Sequence, residues 1–234
     1  MTAGLGPRGA VASGLTRFWA DDKGLSIFSA LLVISIFVLP PFEPPGSGRG
    51  LGGSVVYALL LISGVSALGA NRLVRLVLLP VAVLTLAVEL GSWIAPFPET
   101  LVTAMGLLSL FLFLAVVLGQ TLRGGPITYH RLNGAVAAYL LLGLIFAHAY
   151  SLVALLRSSA FAGPVGLADG PRAFFYFSFV TLTTTGYGDV LPVHPVARSL
   201  ANLEAVTGTL YIAILLARLV SSAVTTSREN RTNA

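Results

Sequence analysis

Six long apolar runs divide the chain, and each approaches the length of about 20 residues that a helix needs to cross a bilayer. The first run is the shortest and ends at Pro40-Pro41, where a helix cannot continue. A further run over residues 172–183 is too short to cross and fits a re-entrant helix. The pattern predicts an all-α integral membrane protein with six transmembrane helices and a re-entrant helix between the fifth and the sixth. The predicted spans are residues 25–39, 51–70, 73–94, 101–118, 133–156 and 195–220.

Composition supports the membrane assignment and narrows the chemistry. Apolar residues make up 56% of the chain and charged residues 10%, against about 25% charged residues in soluble domains. Cysteine is absent, and no set of His, Cys, Asp or Glu has metal-ligand spacing. The sequence also lacks a Ser-His-Asp arrangement and a phosphate-binding glycine loop. We therefore expect no enzyme and no cofactor. Basic residues are scattered over the loops, which does not indicate nucleic-acid binding.

One polar, glycine-bearing stretch follows the re-entrant helix. It reads Thr183-Thr184-Thr185-Gly186-Tyr187-Gly188-Asp189. Its glycines permit positive-φ backbone that other residues resist, so successive carbonyl oxygens can face one axis and replace the water shell of a cation. The stretch resembles the TVGYG selectivity filter of potassium channels. The chain is similar to pore-loop potassium channels of the six-span bacterial type, and residues 133–220 resemble the two-transmembrane ion channel domain.

The resemblance implies a potassium-selective channel that conducts K⁺ passively. Potassium ions would bind the backbone oxygens of Thr184, Thr185, Gly186 and Tyr187, with Gly188 completing the filter. Thr185 departs from the family pattern, which has valine at this position. Its side chain should point away from the conduction axis, so we expect altered filter rigidity rather than lost selectivity. The alternative is a weakly selective monovalent cation channel, which reversal potentials in mixed potassium and sodium would distinguish.

Three further positions are candidates for support of the filter. Related channels place an aromatic residue where Tyr176 lies, so the resemblance implies a hydrogen bond from Tyr176 to Asp189 at the outer mouth, with plain aromatic packing as the alternative. A carboxylate inside the bilayer is costly unless it is partnered or wet. Glu204 should therefore face the re-entrant helix or the filter, and we expect it to brace them through the hydroxyl of Thr181 or Thr183. The alternative is a neutral glutamate in a polar pocket.

The sixth span contains Gly208, where the resembling channels have a hinge glycine. Glycine in a helix interior costs about 1 kcal/mol relative to alanine, so a glycine at this position indicates a bend or a close helix contact. The resemblance implies the hinge. The alternative is a small residue that lets two helices approach each other.

Lysine and arginine set the expected orientation. Ten of the 14 basic residues lie on the side of the N-terminus, which favours both termini in the cytoplasm of a cell membrane. The fourth span, residues 101–118, contains no Lys or Arg. Because a voltage sensor must move several charges through the membrane, we expect no ordinary voltage gating.

The chain has one filter signature, and one filter strand cannot surround an ion. We therefore expect a homotetramer with fourfold symmetry in the lipid bilayer. The alternative from a different class is a non-conducting membrane scaffold or a transporter subunit. The tail is too short for a ligand-binding domain. The predicted units are residues 1–24 (cytoplasmic N-terminal segment, with an interfacial helix at 15–19), 25–118 (four-helix membrane domain without a charged voltage sensor), 119–132 (cytoplasmic linker), 133–221 (pore domain) and 222–234 (cytoplasmic tail).

Overall fold

The computed structural model describes residues 22–42, 51–68, 72–95, 97–121, 129–163 and 170–232, and in these ranges the chain is almost entirely helical. The helices are α1 (Asp22–Val33), α2 (Leu51–Leu68), α3 (Arg72–Gly91), α4 (Glu99–Thr121), α5 (Tyr129–Leu156), α6 (Pro171–Leu182) and α7 (Pro195–Thr232). α1 continues through a π-helical turn over Ile34–Val38, and a 3-10 turn follows over Pro40–Phe42. Two short strands, β1 (Phe161–Ala162) and β2 (Leu191–Pro192), pair antiparallel.

Four helices within the described ranges are long and apolar enough to cross a membrane. Their spanning stretches are Val74–Gly91, Glu99–Thr121, Arg131–Leu156 and Pro195–Arg218. The first two predicted spans correspond to shorter apolar helices, Gly24–Val38 and Ser54–Ser66. The chain therefore has an all-helical fold with four candidate membrane-spanning helices, and the six-span arrangement stays a prediction.

Three of the helices extend beyond the apolar runs that predicted them. α4 ends at Thr121 and α5 begins at Tyr129, so both reach into the predicted linker 119–132. α7 continues to Thr232, through most of the predicted tail 222–234. A hydrophobic run marks the part of a helix that lipid or protein can bury, whereas backbone hydrogen bonds carry the helix further. The predicted interfacial helix at 15–19 lies outside the described residues.

The first four helices and α5 share one apolar core. Its fully buried members include Phe28 of α1, Leu60 of α2, Phe113 of α4 and Leu141 of α5. The rings of Phe28 and Phe113 meet edge to face with centroids 5.9 Å apart. Because α5 also packs against α6 and α7, it joins the helices of residues 25–118 to the remainder of the chain.

A second cluster is aromatic and surrounds one end of α6. Tyr150 of α5 and Phe177 of α6 have ring centroids 4.8 Å apart, and Phe161 of β1 lies 4.8 Å from Phe174 by the same measure. Phe146 and Val190 complete the buried wall. These contacts fix α6 between α5 and the segment that follows residue 189.

Candidate functional site

α6 carries the stretch 183–189 at its C-terminal end, and we call this stretch the filter loop. The helix has 12 residues, which corresponds to a length of about 18 Å. Since the hydrocarbon core of a bilayer is about 30 Å thick, α6 cannot cross it. The helix ends at Thr183, whose N–H donates to the Phe179 carbonyl oxygen over 3.1 Å.

The filter loop turns its backbone N–H groups toward α6. The amides of Thr184, Thr185 and Gly186 donate to carbonyl oxygens in the last turn of α6 over 2.9, 2.9 and 3.3 Å. The angle φ is positive at Thr184 (57°), Gly186 (58°) and Gly188 (78°), and it is not positive at Thr185 and Tyr187 between them. Such an alternation turns successive N–H groups to one side and carbonyl groups to the other. Positive φ at both glycines confirms that part of the sequence prediction.

Thr184 adopts a backbone conformation that its side chain resists. A β-branched residue at positive φ is a true outlier, and strain of this kind costs about 1–3 kcal/mol. The hydrogen bond from its amide to the Thr181 carbonyl, 2.9 Å long, helps to hold it there. Strained residues of this kind cluster at functional sites. Three consecutive threonines do not by themselves indicate which one is strained.

Two hydroxyl groups connect the filter loop to α6. Thr183 Oγ1 donates to the Phe179 carbonyl oxygen over 2.7 Å and lies 2.9 Å from Thr185 Oγ1. A threonine hydroxyl has one hydrogen. Because Thr183 gives its hydrogen to Phe179, Thr185 is the donor to Thr183. The Thr185 hydroxyl is therefore bonded on the α6 side of the loop.

Tyr176 of α6 contacts two residues in the outer half of the filter loop, Tyr187 and Asp189. Its hydroxyl donates to Asp189 Oδ2 over 2.6 Å, which confirms the predicted contact. Its ring is stacked with that of Tyr187 at a centroid distance of 6.4 Å and an interplanar angle of 4°. The Val190 N–H donates to the other carboxylate oxygen of Asp189. Both oxygens of Asp189 thus have protein donors, whereas Tyr187 remains 71% exposed on the single chain.

The segments before α6 and after the filter loop are bonded to each other. The Ala160 carbonyl oxygen accepts the N–H groups of Val193 and His194, next to the β1–β2 pair. Gly163 has φ of 147°, and a Cβ atom at this position would lie 2.0 Å from the Asp189 carbonyl oxygen. Glycine is therefore required there. The outer end of the filter loop is held by residues that precede α6 in the chain.

Glu204 of α7 is fully buried behind α6, as its charge predicts, but its partners are not the predicted ones. Tyr150 Oη donates to Glu204 Oε2 over 2.5 Å, and Ser178 Oγ lies 2.5 Å from Oε1. The predicted bond to Thr181 or Thr183 is wrong, since the α6 residue that reaches Glu204 is Ser178, about one helical turn earlier. A hydroxyl residue inside an aromatic run was the available sequence signal.

Any residue larger than glycine at position 208 would clash with α6. A Cβ atom there would be 2.2 Å from the carbonyl oxygen of Leu182, the last residue of α6. α7 is helical through this position. The close helix contact that the sequence left as the alternative is therefore present, and the hinge stays a prediction.

Aromatic rings connect α6 directly to the π-helical turn after α1 and, through His148 of α5, to α2. The ring of Phe37, after α1, lies 5.7 Å from that of Phe179. His148 of α5 lies between Tyr57 of α2 and Phe175 of α6, with centroid distances of 6.5 and 5.8 Å. Nothing in the sequence pattern indicates which helices meet at the ring of His148.

Comparison with known proteins agrees with this geometry. An ion channel family model matches residues 138–224, which run from α5 through α6 and the filter loop into α7. No curated protein and no solved structure matches the chain. The matched residues include the filter loop and the buried group of Tyr150, Ser178 and Glu204.

Proposed function

We propose that the chain is a pore-loop, potassium-selective channel that conducts K⁺ passively through four copies of the filter loop, a proposal supported by the ion channel family model that matches residues 138–224. The ion sites are formed by Thr184, Thr185, Gly186 and Tyr187, with Gly188 at the outer end. Potassium ions are the permeant species and no chemical step occurs.

The backbone of the filter loop is the observation that carries this proposal. Its N–H groups bond to α6 and its positive φ angles fall on Thr184, Gly186 and Gly188. Carbonyl oxygens that face away from α6 are suitable ligands for a dehydrated K⁺ ion. The Thr185 hydroxyl bonds to Thr183 on the α6 side of the loop, which favours a potassium-selective filter over a weakly selective one.

The assembly that we propose is a homotetramer. All of residues 183–188 are exposed on one chain, and one loop offers oxygens from one direction only. Four loops around a fourfold axis would surround the ion, and cyclic symmetry of this kind is the ordinary form of a closed oligomer. We also propose that α6 is re-entrant and holds the filter loop at membrane depth inside the assembly, which its length of 12 residues supports.

We further propose a cell-membrane location with both termini in the cytoplasm, on the distribution of Lys and Arg, and conduction without ordinary voltage gating. The chain contains no cysteine, so single cysteines placed at exposed Ser158 and Gly119 can be labelled separately. A membrane-impermeant thiol reagent should reach Ser158→Cys from outside the cell and Gly119→Cys only after permeabilisation. The reverse result would invert the proposed orientation.

Flux from the purified protein in liposomes tests the channel proposal. Potassium flux should be present, and reversal potentials in mixed solutions should follow potassium rather than sodium. Gly186→Ala should abolish the flux, because alanine resists the φ of 58° at this position. Gly119→Ala is the matched control, since a Cβ atom there meets nothing within 4 Å. Equal permeability to sodium would indicate a weakly selective channel, and absence of any flux would indicate a scaffold or a subunit of a transporter.

A further inference from the structure

Glu204 has two oxygen partners inside a single chain, and its side chain is 0% exposed there. Tyr150 of α5 donates to Oε2, and Ser178 of α6 lies next to Oε1. Ser178 Oγ also lies 2.7 Å from the carbonyl oxygen of Gly143 in α5. The group therefore connects α5, α6 and α7. Because neighbouring copies of the chain cannot reach a side chain buried in this way, its hydrogen bonds can be counted within one protomer.

If Glu204 is a carboxylate, the group has fewer hydroxyl hydrogens than close oxygen–oxygen contacts. An ionised carboxylate only accepts hydrogen bonds, and a serine hydroxyl donates a single hydrogen. Ser178 has two acceptors at bonding distance, Glu204 Oε1 and the Gly143 carbonyl oxygen. One hydrogen cannot serve both, so a carboxylate would leave one of these two oxygen–oxygen contacts without a hydrogen. Oxygen lone pairs facing each other at such a distance repel, which disfavours the ionised form in this geometry.

If Glu204 carries a proton on Oε1, each of the three contacts has one hydrogen. The acid then donates from Oε1 to Ser178 Oγ, and Ser178 donates its own hydrogen to the Gly143 carbonyl oxygen. Tyr150 donates to Oε2 as before. Each hydroxyl hydrogen then has one acceptor, over oxygen–oxygen distances of 2.5, 2.5 and 2.7 Å.

We propose that Glu204 is a neutral carboxylic acid in a chain of hydrogen bonds that runs from Tyr150 of α5 to Glu204 of α7, on to Ser178 of α6 and back to Gly143 of α5. We call this chain of hydrogen bonds the clasp. Glu204 is in this sense a positioning residue: it fixes α6 through Ser178, four residues before the helix ends and the filter loop begins. The positioning role rests on the proposed channel function. The protonation state does not, because it follows from the contacts within one chain.

Infrared difference spectroscopy on the full-length protein in liposomes at neutral pH tests the protonation state directly. Subtraction of the Glu204→Gln spectrum from that of the unmodified protein should show loss of a carboxylic-acid carbonyl band and no loss of a carboxylate band. Glu99→Gln is the matched control, because Glu99 is exposed and its replacement should remove carboxylate bands only. Loss of a carboxylate band on replacing Glu204 would overturn the proposal.

A second variant keeps the test decisive if Glu204→Gln does not fold. Ser178→Ala removes the acceptor of the acid's hydrogen, so the acid carbonyl band of the Glu204 side chain should shift to higher frequency. If the band does not respond, the acid does not belong to Glu204 and the clasp is wrong.

Channel recordings test the positioning role of Glu204 separately from its protonation state. Glu204→Gln keeps a donor and an acceptor and should inactivate as the unmodified channel does, whereas Glu204→Ala should inactivate several-fold faster. Equal rates for the two variants would contradict positioning. Failure of potassium flux together with a retained acid band would overturn the proposed function and leave the protonation state standing.

Discussion

The Thr185 hydroxyl shows how a single atom changes the support of the filter loop. Where the family filter has a valine methyl group, this chain has a hydroxyl that donates to Thr183, and Thr183 in turn donates to the Phe179 carbonyl oxygen. A hydrogen bond of this kind contributes about 0.5–1.5 kcal/mol. The filter loop thereby gains a side-chain connection to α6 in addition to its backbone bonds.

Thr185→Val should loosen the filter loop without changing its ion preference. The substitution removes the donor to Thr183 but keeps the shape of the side chain, and the backbone oxygens that bind ions are unaffected. A loss of about 1 kcal/mol corresponds to about fivefold in a rate or population. We therefore expect inactivation about fivefold faster with an unchanged reversal potential, measured in bilayer recordings.

Thr183→Val provides the comparison for this prediction. It removes the bond to Phe179 as well as the acceptor for Thr185, so it should accelerate inactivation more than Thr185→Val does. The double variant should resemble Thr183→Val alone, because the Thr185 donor has no partner left. A shifted reversal potential in Thr185→Val would instead mean that this side chain contributes to selectivity.

At the scale of elements, α6 is held from three directions. Tyr176 connects it to the loop that follows it, Ser178 connects it to α5 and α7, and the Leu182 carbonyl lies against Gly208. The aromatic cluster of Tyr150, Phe161 and Phe177 fills the remaining space. A helix this short gains little stability from its own hydrogen bonds, so these contacts determine where its C-terminal end lies.

Gly208→Ala distinguishes a packing role from a purely flexible hinge, because the two roles predict opposite signs. An alanine in an open helix position stabilises it by about 1 kcal/mol relative to glycine. At Gly208 the added Cβ would meet a backbone oxygen that cannot rotate away, and overpacking of this kind costs about 1–3 kcal/mol. We expect a lower unfolding midpoint in detergent for Gly208→Ala and an equal or higher one for Gly119→Ala. A raised midpoint for Gly208→Ala would favour the hinge alone.

The sequence was informative about elements and less so about their register. Apolar runs located α6 and the four helices that are long enough to cross a membrane, and the glycines located the filter loop. The cost of burying charge correctly predicted that Glu204 faces α6. Its partner was missed because Ser178 and Thr181 lie about one helical turn apart on α6. Which of them meets Glu204 depends on how far α6 slides along α7, and that distance is set by contacts such as Gly208 with Leu182, which no pattern in a single chain encodes.

For the whole molecule, the distribution of buried surface is uneven. Only 11% of the spanning stretch of α7 is buried within one chain, against 44% for Glu99–Thr121 and for Arg131–Leu156. Leu203, Val206 and Leu210 of α7 are each more than half exposed. α1 and α4 pack against α5 instead. In the proposed homotetramer, the unburied face of α7 and the exposed filter loop are the surfaces that other copies of the chain would cover. The sequence predicted convergence of the filter loops, because several must surround one ion, and it did not predict the exposed face of α7.

The proposed fourfold assembly predicts how current depends on the fraction of functional chains. Light scattering should first show that the unmodified protein and the Gly186→Ala variant each assemble to four times the 24.4 kDa mass of one chain. The two proteins are then mixed in known ratios, unfolded together, refolded and reconstituted. If one altered filter loop blocks the conduction path, the potassium flux should fall as the fourth power of the unmodified fraction. Mixtures with Gly119→Ala should show no such fall. A linear dependence on the unmodified fraction would mean that each chain conducts alone, and a second-power dependence would mean that two chains form one ion path, because the exponent counts the filter loops that share a path.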